Sequence, residues 1–255
     1  VVLLVGKEEV RIPCHKALLG HFSKFFEATL YSGFSEATAT EIPLPDEIAE
    51  HVQELVFWLY TGESQVERKL AEDPPKDLDA TLPEAECQRE LCALKLWVFA
   101  DKLMCASFAN YVIEQLIKFY KETTYSSWEA DFVFGHTTRN SELRLLFKTL
   151  MAADGPLRKE RLSNPVADAC EYERWLSLLE KGGDLVRECA TDGFTGYNEE
   201  KWELPRETLG KYMQKVPEIS VEDWIKQRYP GLREWRLKTL SWTDMKIVNG
   251  RNLFC

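Results

Sequence analysis

Cys14 and His15 are adjacent, which makes them the first residues to test for nucleophilic chemistry. They follow a segment in which Val10 and Ile12 alternate with Glu9 and Arg11, the period of a strand. Neighbours on extended backbone point to opposite faces, so thiol and imidazole diverge. A cysteine nucleophile also needs a base oriented by a third group, and no motif supplies one. Metal chemistry has similarly little to build on. Cys87 and Cys92 form a C-x4-C pair, Cys105 lies further on, and His136 is the only downstream histidine. Zinc favours tighter C-x2-C spacings with a second matching pair, so these thiols are expected to be small buried groups in helices. The chain contains no G-x-S-x-G, HExxH, G-x-x-x-x-G-K or G-x-G-x-x-G. The expectation is a non-enzyme with no metal and no cofactor.

Charge narrows the partners. Forty-two acidic residues against 32 basic ones give a net charge of -10, which repels a phosphate backbone unless a basic patch is concentrated locally. The longest basic cluster, Arg158, Lys159 and Arg161, is interrupted by Glu160, so nucleic acid is not an expected partner. Seven cysteines is an odd number, and no N-x-S/T acceptor occurs. Both features fit a reduced compartment, cytoplasmic or nuclear. The apolar runs Val1–Val5 and Leu96–Ala100 fall far short of the ~20 residues of a membrane span, and no cleavable signal is seen. The first residue is Val1 rather than Met, consistent with a piece of a longer chain.

The elements that would position these residues follow from periodicity. Val1–Val5, the turn at Gly6-Lys7 and the alternation through Ile12 predict a hairpin. Residues 15–31 carry Leu18, Leu19, Phe22, Phe25, Phe26 and Leu30 at helical spacing, with Ser23 as a cap dividing them into two short helices. Thr40, Ile42 and Leu44 predict a short strand closed by Pro45-Asp46. Ile48, Val52, Leu55, Val56 and Leu59 share a helical stripe that Thr61-Gly62 ends. Residues 64–86, with seven acidic residues, three basic ones and three prolines, read as an exposed acidic insertion. Residues 87–104 form a helix apolar nearly all round, and 107–121 a second with a stripe from Ala109 to Tyr120. Beyond residue 123, Ser141 caps a helix bearing Leu143, Leu146, Phe147, Leu150 and Met151. Asn164-Pro165 starts another, carrying Trp175 and ended by Gly182-Gly183. Residues 184–204 read as irregular, and Ser220 with Asp223 forms a capping box before Trp224 and Ile225.

Five pieces in one order, "VVLLVGKEEVRIPCHKALL" (1–19), "SKFF" (23–26), "SGFSE" (32–36), "IPLPDE" (42–47) and "FWLYTGE" (57–63), resemble the BTB/POZ family. "LWVFADKLM" (96–104) is similar to its Ala-Asp-Lys helix. "TTRNSELRLLF" (137–147) resembles a stretch that follows the domain in a large group of fungal BTB proteins. The resemblance implies an α/β (α+β) BTB/POZ fold, a small sheet flanked by a helix cluster. The implied organisation is a BTB domain at 1–122 with its insertion at 64–86, then a mainly helical region at 123–255.

By the same resemblance the function is non-catalytic protein–protein interaction: an adaptor that self-associates and recruits a cullin ubiquitin-ligase scaffold. Two alternatives stand beside it, a transcriptional regulator assembling corepressors through the domain and a stand-alone oligomerisation scaffold. Phe34, Ser35 and Glu36 match the family's hydrophobic-x-Glu element, which meets the cullin, and Lys16 stands where corepressor-binding members carry a base. Read for themselves, Phe34 could fold onto its own core, Glu36 and Lys16 could be solvated, and His15 is a hydrogen-bonded structural residue.

Overall fold

The computed structural model describes residues 1–31, 40–66, 70, 88–121, 123, 125–154, 169–192 and 206–228. Its contacts divide the chain into two units. One comprises Val1–Gln65, Ala100–Phe108 and Lys215–Cys255, the other Val66–Phe99 and Ala109–Gln214.

The first unit is built on a three-stranded sheet. Strand β1 (Val2–Val5) turns at Gly6, whose φ of +72° suits a residue without Cβ, and pairs antiparallel with β2 (Val10–Pro13). Its other edge pairs in parallel with β3 (Glu41–Leu44), giving the order β2-β1-β3. The register aligns Leu3 with Ile12 and with Ile42, and all three are buried. Alternation therefore selects one face of every strand for the core, as the apolar pattern predicts.

Between β2 and β3 lie α1 (Lys16–Phe22) and α2 (Lys24–Tyr31). Ser23 separates them as expected. Its hydroxyl accepts the Phe26 N–H at 3.1 Å and donates to the Leu103 carbonyl at 2.6 Å, capping α2 and tying it to a segment eighty residues away. Helix α3 (Ala49–Thr61) follows, stopped by Gly62 in the left-handed conformation, φ +74°. Val52, Leu55, Val56 and Leu59 are buried as the stripe requires. Ile48 is not: it is the extended N-cap, one position before the helix begins, and half its surface is exposed. Phe22, Trp58 and Phe108 form a chain of ring contacts at 5.3 and 5.2 Å.

Helix α4 (Gln88–Lys102) and helix α5 (Ala106–Tyr120) each contribute residues to both units. Leu94, Leu96, Trp97 and Phe99 of α4 are buried, while Cys92, Lys95, Asp101 and Lys102 are exposed, so the helix keeps a solvent-facing side. The second unit continues with α6 (Ser127–His136), α7 (Glu142–Asp154), α8 (Ala169–Lys181), α9 (Asp184–Asp192) and a 3-10 helix (Arg206–Tyr212). The last helix, α10 (Val221–Arg228), belongs to the first unit. The α/β class with a helical C-terminal part is thus observed. No described helix is long and apolar enough to cross a membrane.

Three expectations are corrected. The stretch 64–86 is not exposed at its start. Ser64, Val66 and Leu70 are buried, and the Glu54 carboxylate holds the first part of the stretch by accepting the Ser64 hydroxyl at 2.7 Å and the Gln65 N–H at 3.0 Å. Residues 67–69 and 71–86 lie outside the described residues. The segment read as irregular from 184 begins with helix α9. Its inward positions are Leu185 and Glu188, so a charged residue stands where periodicity looks for an apolar one. Cys92 is exposed, not a buried thiol, while Cys105 is buried in the turn ahead of α5.

A candidate interaction surface around Tyr31

Lys16 and Tyr31 bracket the α1–α2 pair, one at its first position and one at its last. The hairpin of helices that Ser23 creates brings them together, with the Lys16 ammonium 4.7 Å from the Tyr31 ring centroid. Helix α10 also packs against that ring. Trp224 meets Tyr31 edge-on at 5.2 Å, and the Arg228 guanidinium lies 5.8 Å from Tyr31 and 5.3 Å from Trp224. Arg228 also forms an ion pair with Glu27 of α2. Trp224 and Ile225 are buried against Ala17, Tyr31, Ile219 and Val221. Tyr31 thus takes cation–π contacts from both Lys16 and Arg228, an arrangement suited to holding a helix by its side chains.

Two residues essential to this packing stand apart from the readings made on sequence. Gly20 sits inside α1, where glycine costs about 1 kcal/mol relative to alanine. The geometry explains it: a Cβ there would lie 2.5 Å from the Tyr31 ring and 3.0 Å from Trp224 Cη2. An isolated glycine within a helical stripe is the sequence signal that could have found it. The other is His21. Its ring lies 4.5 Å from Phe22 and 6.0 Å from Trp224, both edge-on, and its Nδ1 is buried without a hydrogen-bond partner. Burial lowers its pKa below the usual 6.5.

Cys14 and His15 diverge as the alternation demands, the thiol buried and the imidazole exposed. Tyr60 Oη accepts the His15 backbone N–H at 3.0 Å and pairs with its Nδ1, so the end of α3 is fastened to the start of α1. Burial pushes the Cys14 thiol up to about 12, and burial followed by the neighbouring Cys14 raises Tyr60 as well. Neither group is an activated nucleophile or base near neutral pH. Phe34, Ser35 and Glu36 lie outside the described residues. Asp101 is exposed near the end of α4. Among the described residues no group of three His, Cys, Asp or Glu side chains could hold a metal ion.

The second unit carries its own features. Ser126 and Glu129 cap α6 reciprocally, the Ser126 N–H donating to Glu129 at 2.6 Å and the Glu129 N–H to the Ser126 hydroxyl at 3.4 Å. This S-x-x-E signature is present in the sequence and announces a helix that apolar periodicity alone does not show. The motif Thr137…Arg144 has a structural account. Arg144 is buried and donates to the carbonyls of Phe134 (2.7 Å) and Thr137, to the Thr137 hydroxyl (3.1 Å) and to Glu188 (2.5 Å). One guanidinium thereby joins the end of α6 to α7 and α9. Cavities of about 290 and 330 Å³ adjoin Trp128, Asp131 and Lys181, where Lys181 donates to both Asp131 oxygens at 2.9 and 3.1 Å.

Comparison with known families bears on the first part of the chain. Residues 1–87 match the family model of the BTB/POZ domain, so this stretch, which includes the sheet and α1 to α3, is a BTB/POZ domain. Such domains are typically protein-interaction and oligomerisation modules rather than enzymes.

Proposed function

We propose that this chain is a BTB adaptor that self-associates and docks a cullin scaffold through Phe34, Ser35 and Glu36, with Lys16 contributing to the partner-facing surface. The observation that carries the reading is the BTB/POZ match over 1–87, which contains all four residues. An aromatic side chain entering a partner pocket supplies apolar burial, and a carboxylate beside it supplies a charge-assisted hydrogen bond. The Lys16 ammonium, half-exposed over Tyr31, adds positive charge to the α1–α2 face. The second unit would support the domain or present a client. In this reading the protein works in the cytoplasm or nucleus, where the free thiols of Cys14, Cys92 and Cys105 stay reduced.

The test is titration of the purified chain with isolated cullin N-terminal domains, read by calorimetry. Micromolar binding to one of them is expected. Phe34→Ala should weaken it by about 30-fold, the equivalent of a hot spot of about 2 kcal/mol. Binding to none of the cullins would remove the cullin link and leave the interaction module, whose self-association is read separately by light scattering.

A further inference from the structure

Helix α10 is eight residues long, about 12 Å. A helix so short is not stable alone in water, so its helicity depends on what it packs against. That surface is the α1–α2 face, and the fit is specific. Trp224 and Ile225 enter beside Ala17 and Tyr31, the Trp224 ring reaches the space left by the missing Cβ of Gly20, and Arg228 pairs with Glu27. Ser220 caps the helix, its hydroxyl accepting the Asp223 N–H at 3.0 Å and donating to the Asp223 carboxylate at 2.8 Å.

The connection entering α10 is built differently. Residues 213–220 form neither helix nor strand, and positions 215–218 are exposed. Asn110 clamps Gln214 from both sides, donating to its carbonyl at 2.9 Å and accepting its N–H at 2.7 Å. The lever carrying α10 is therefore the stretch 215–220, six residues able to span about 20 Å.

We propose that the α1–α2 face is a docking surface for an amphipathic helix bearing an aromatic residue and an arginine one turn apart, filled in cis by α10 and in trans by residues 221–228 of a second copy of this chain. The second copy is the occupant because it carries the one segment whose fit to the face is on view, and exchange keeps every contact while changing only which chain supplies it. The cis form has the advantage of effective concentration, in the millimolar range for a short tether, so exchange grows as protein concentration rises. The inference goes beyond the adaptor reading and does not depend on a cullin.

Two full-length variants test it. Trp224→Ala leaves the face open with no competent helix. Gly20→Val fills the face and leaves the helix free. Mixed at micromolar concentration they should form a 1:1 complex seen by light scattering, while each alone keeps the mass it has without the other. Self-association through another face is the same alone as mixed and is subtracted. A fluorescent peptide of residues 218–228 should bind Trp224→Ala at least tenfold more tightly than the wild-type chain, and should not bind the Trp224→Ala/Gly20→Val double variant. Arg228→Glu and Glu27→Lys act at partly exposed positions and guard against misfolding. Separately each opposes docking, mixed and exchanged they restore opposite charges at both faces between chains, and combined in one chain they restore one such pair in cis. Circular dichroism confirms the folds compared. A mixture of folded variants that shows no added mass, or a peptide that binds wild type and Trp224→Ala equally, overturns the proposal.

Discussion

Burial sets the reactivity of the cysteines more than their neighbours do. Cys14 and Cys105 are enclosed, and desolvation of the thiolate pushes each thiol up to about 12, so both remain protonated near neutral pH. Cys92 is exposed on α4. Brief alkylation of the native chain, read by peptide mass spectrometry, should modify Cys92 before Cys14 and Cys105, which stay unmodified until denaturant is added. Equal labelling of all three would contradict their placement. His21 leads to a second expectation. Its folded-state pKa is lowered by burial, so the unfolded chain takes up a proton at this site first as pH falls. The stability it contributes is intact above the ordinary value near 6.5 and declines as pH drops from there toward the lowered folded value. The ring borders Trp224, so near-ultraviolet dichroism and melting temperature should fall together as pH drops below about 6.5. His21→Leu should flatten that slope, and an unchanged slope would assign the titration to another group.

Helices of the second unit are fixed by polar residues as much as by apolar stripes, and this governs both their response to mutation and their legibility. Arg144→Ala would leave the buried carboxylate of Glu188 with only Lys148, 2.5 Å from its other oxygen, and would strip two carbonyls of their donors. Removing one partner of a buried pair costs about 3 to 5 kcal/mol. Lysine has no planar fork to serve Phe134, Thr137 and Glu188 at once, so Arg144→Lys should recover little of the loss in urea denaturation. Ser126→Ala should cost about 1 kcal/mol by unmaking the cap of α6, and a neutral result would show the cap to be dispensable. The same contrast explains what could be read beforehand. The hairpin, the break at Ser23, β3, the stop at Gly62 and α5 were legible because period and punctuation agree there. Helix α9 was not, because Glu188 occupies its inner face and is satisfied by Arg144, which lies forty-four residues away. Ser64 was misjudged because Glu54, on another element, accepts its hydroxyl. Of the residues around Tyr31, Lys16 was singled out in the sequence for its place in the family pattern, whereas Gly20, Tyr31 and Glu27 acquire meaning only when α10 returns across two hundred residues.

At the scale of the whole chain, two contact units are strung on shared helices. Helix α4 lies in one unit up to Phe99 and in the other from Ala100, and α5 changes from Phe108 to Ala109. A helix propagates cooperatively once nucleated, and each of these helices has twelve residues in the second unit and three in the first, so loss of the second unit leaves the first unit's three-residue ends without the helix that fixes them. The coupling is covalent and does not depend on any interface. Two units defined by contacts should therefore unfold as one thermodynamic body. Phe108 is fully buried in the first unit against Trp58, and Phe147 fully buried in the second beside Tyr120 and Tyr125. Replacing either with alanine should cost about 3 to 5 kcal/mol by loss of burial and creation of a cavity. If unfolding is concerted, Phe108→Ala and Phe147→Ala each lower a single urea midpoint that far-ultraviolet dichroism and tryptophan fluorescence report identically. If the units are independent, each substitution splits the transition and moves only its own part, and the two probes separate because Trp58 and Trp224 report one unit while Trp97 and Trp175 report the other. Coincident curves in both variants would establish α4 and α5 as the elements through which the two units unfold as one.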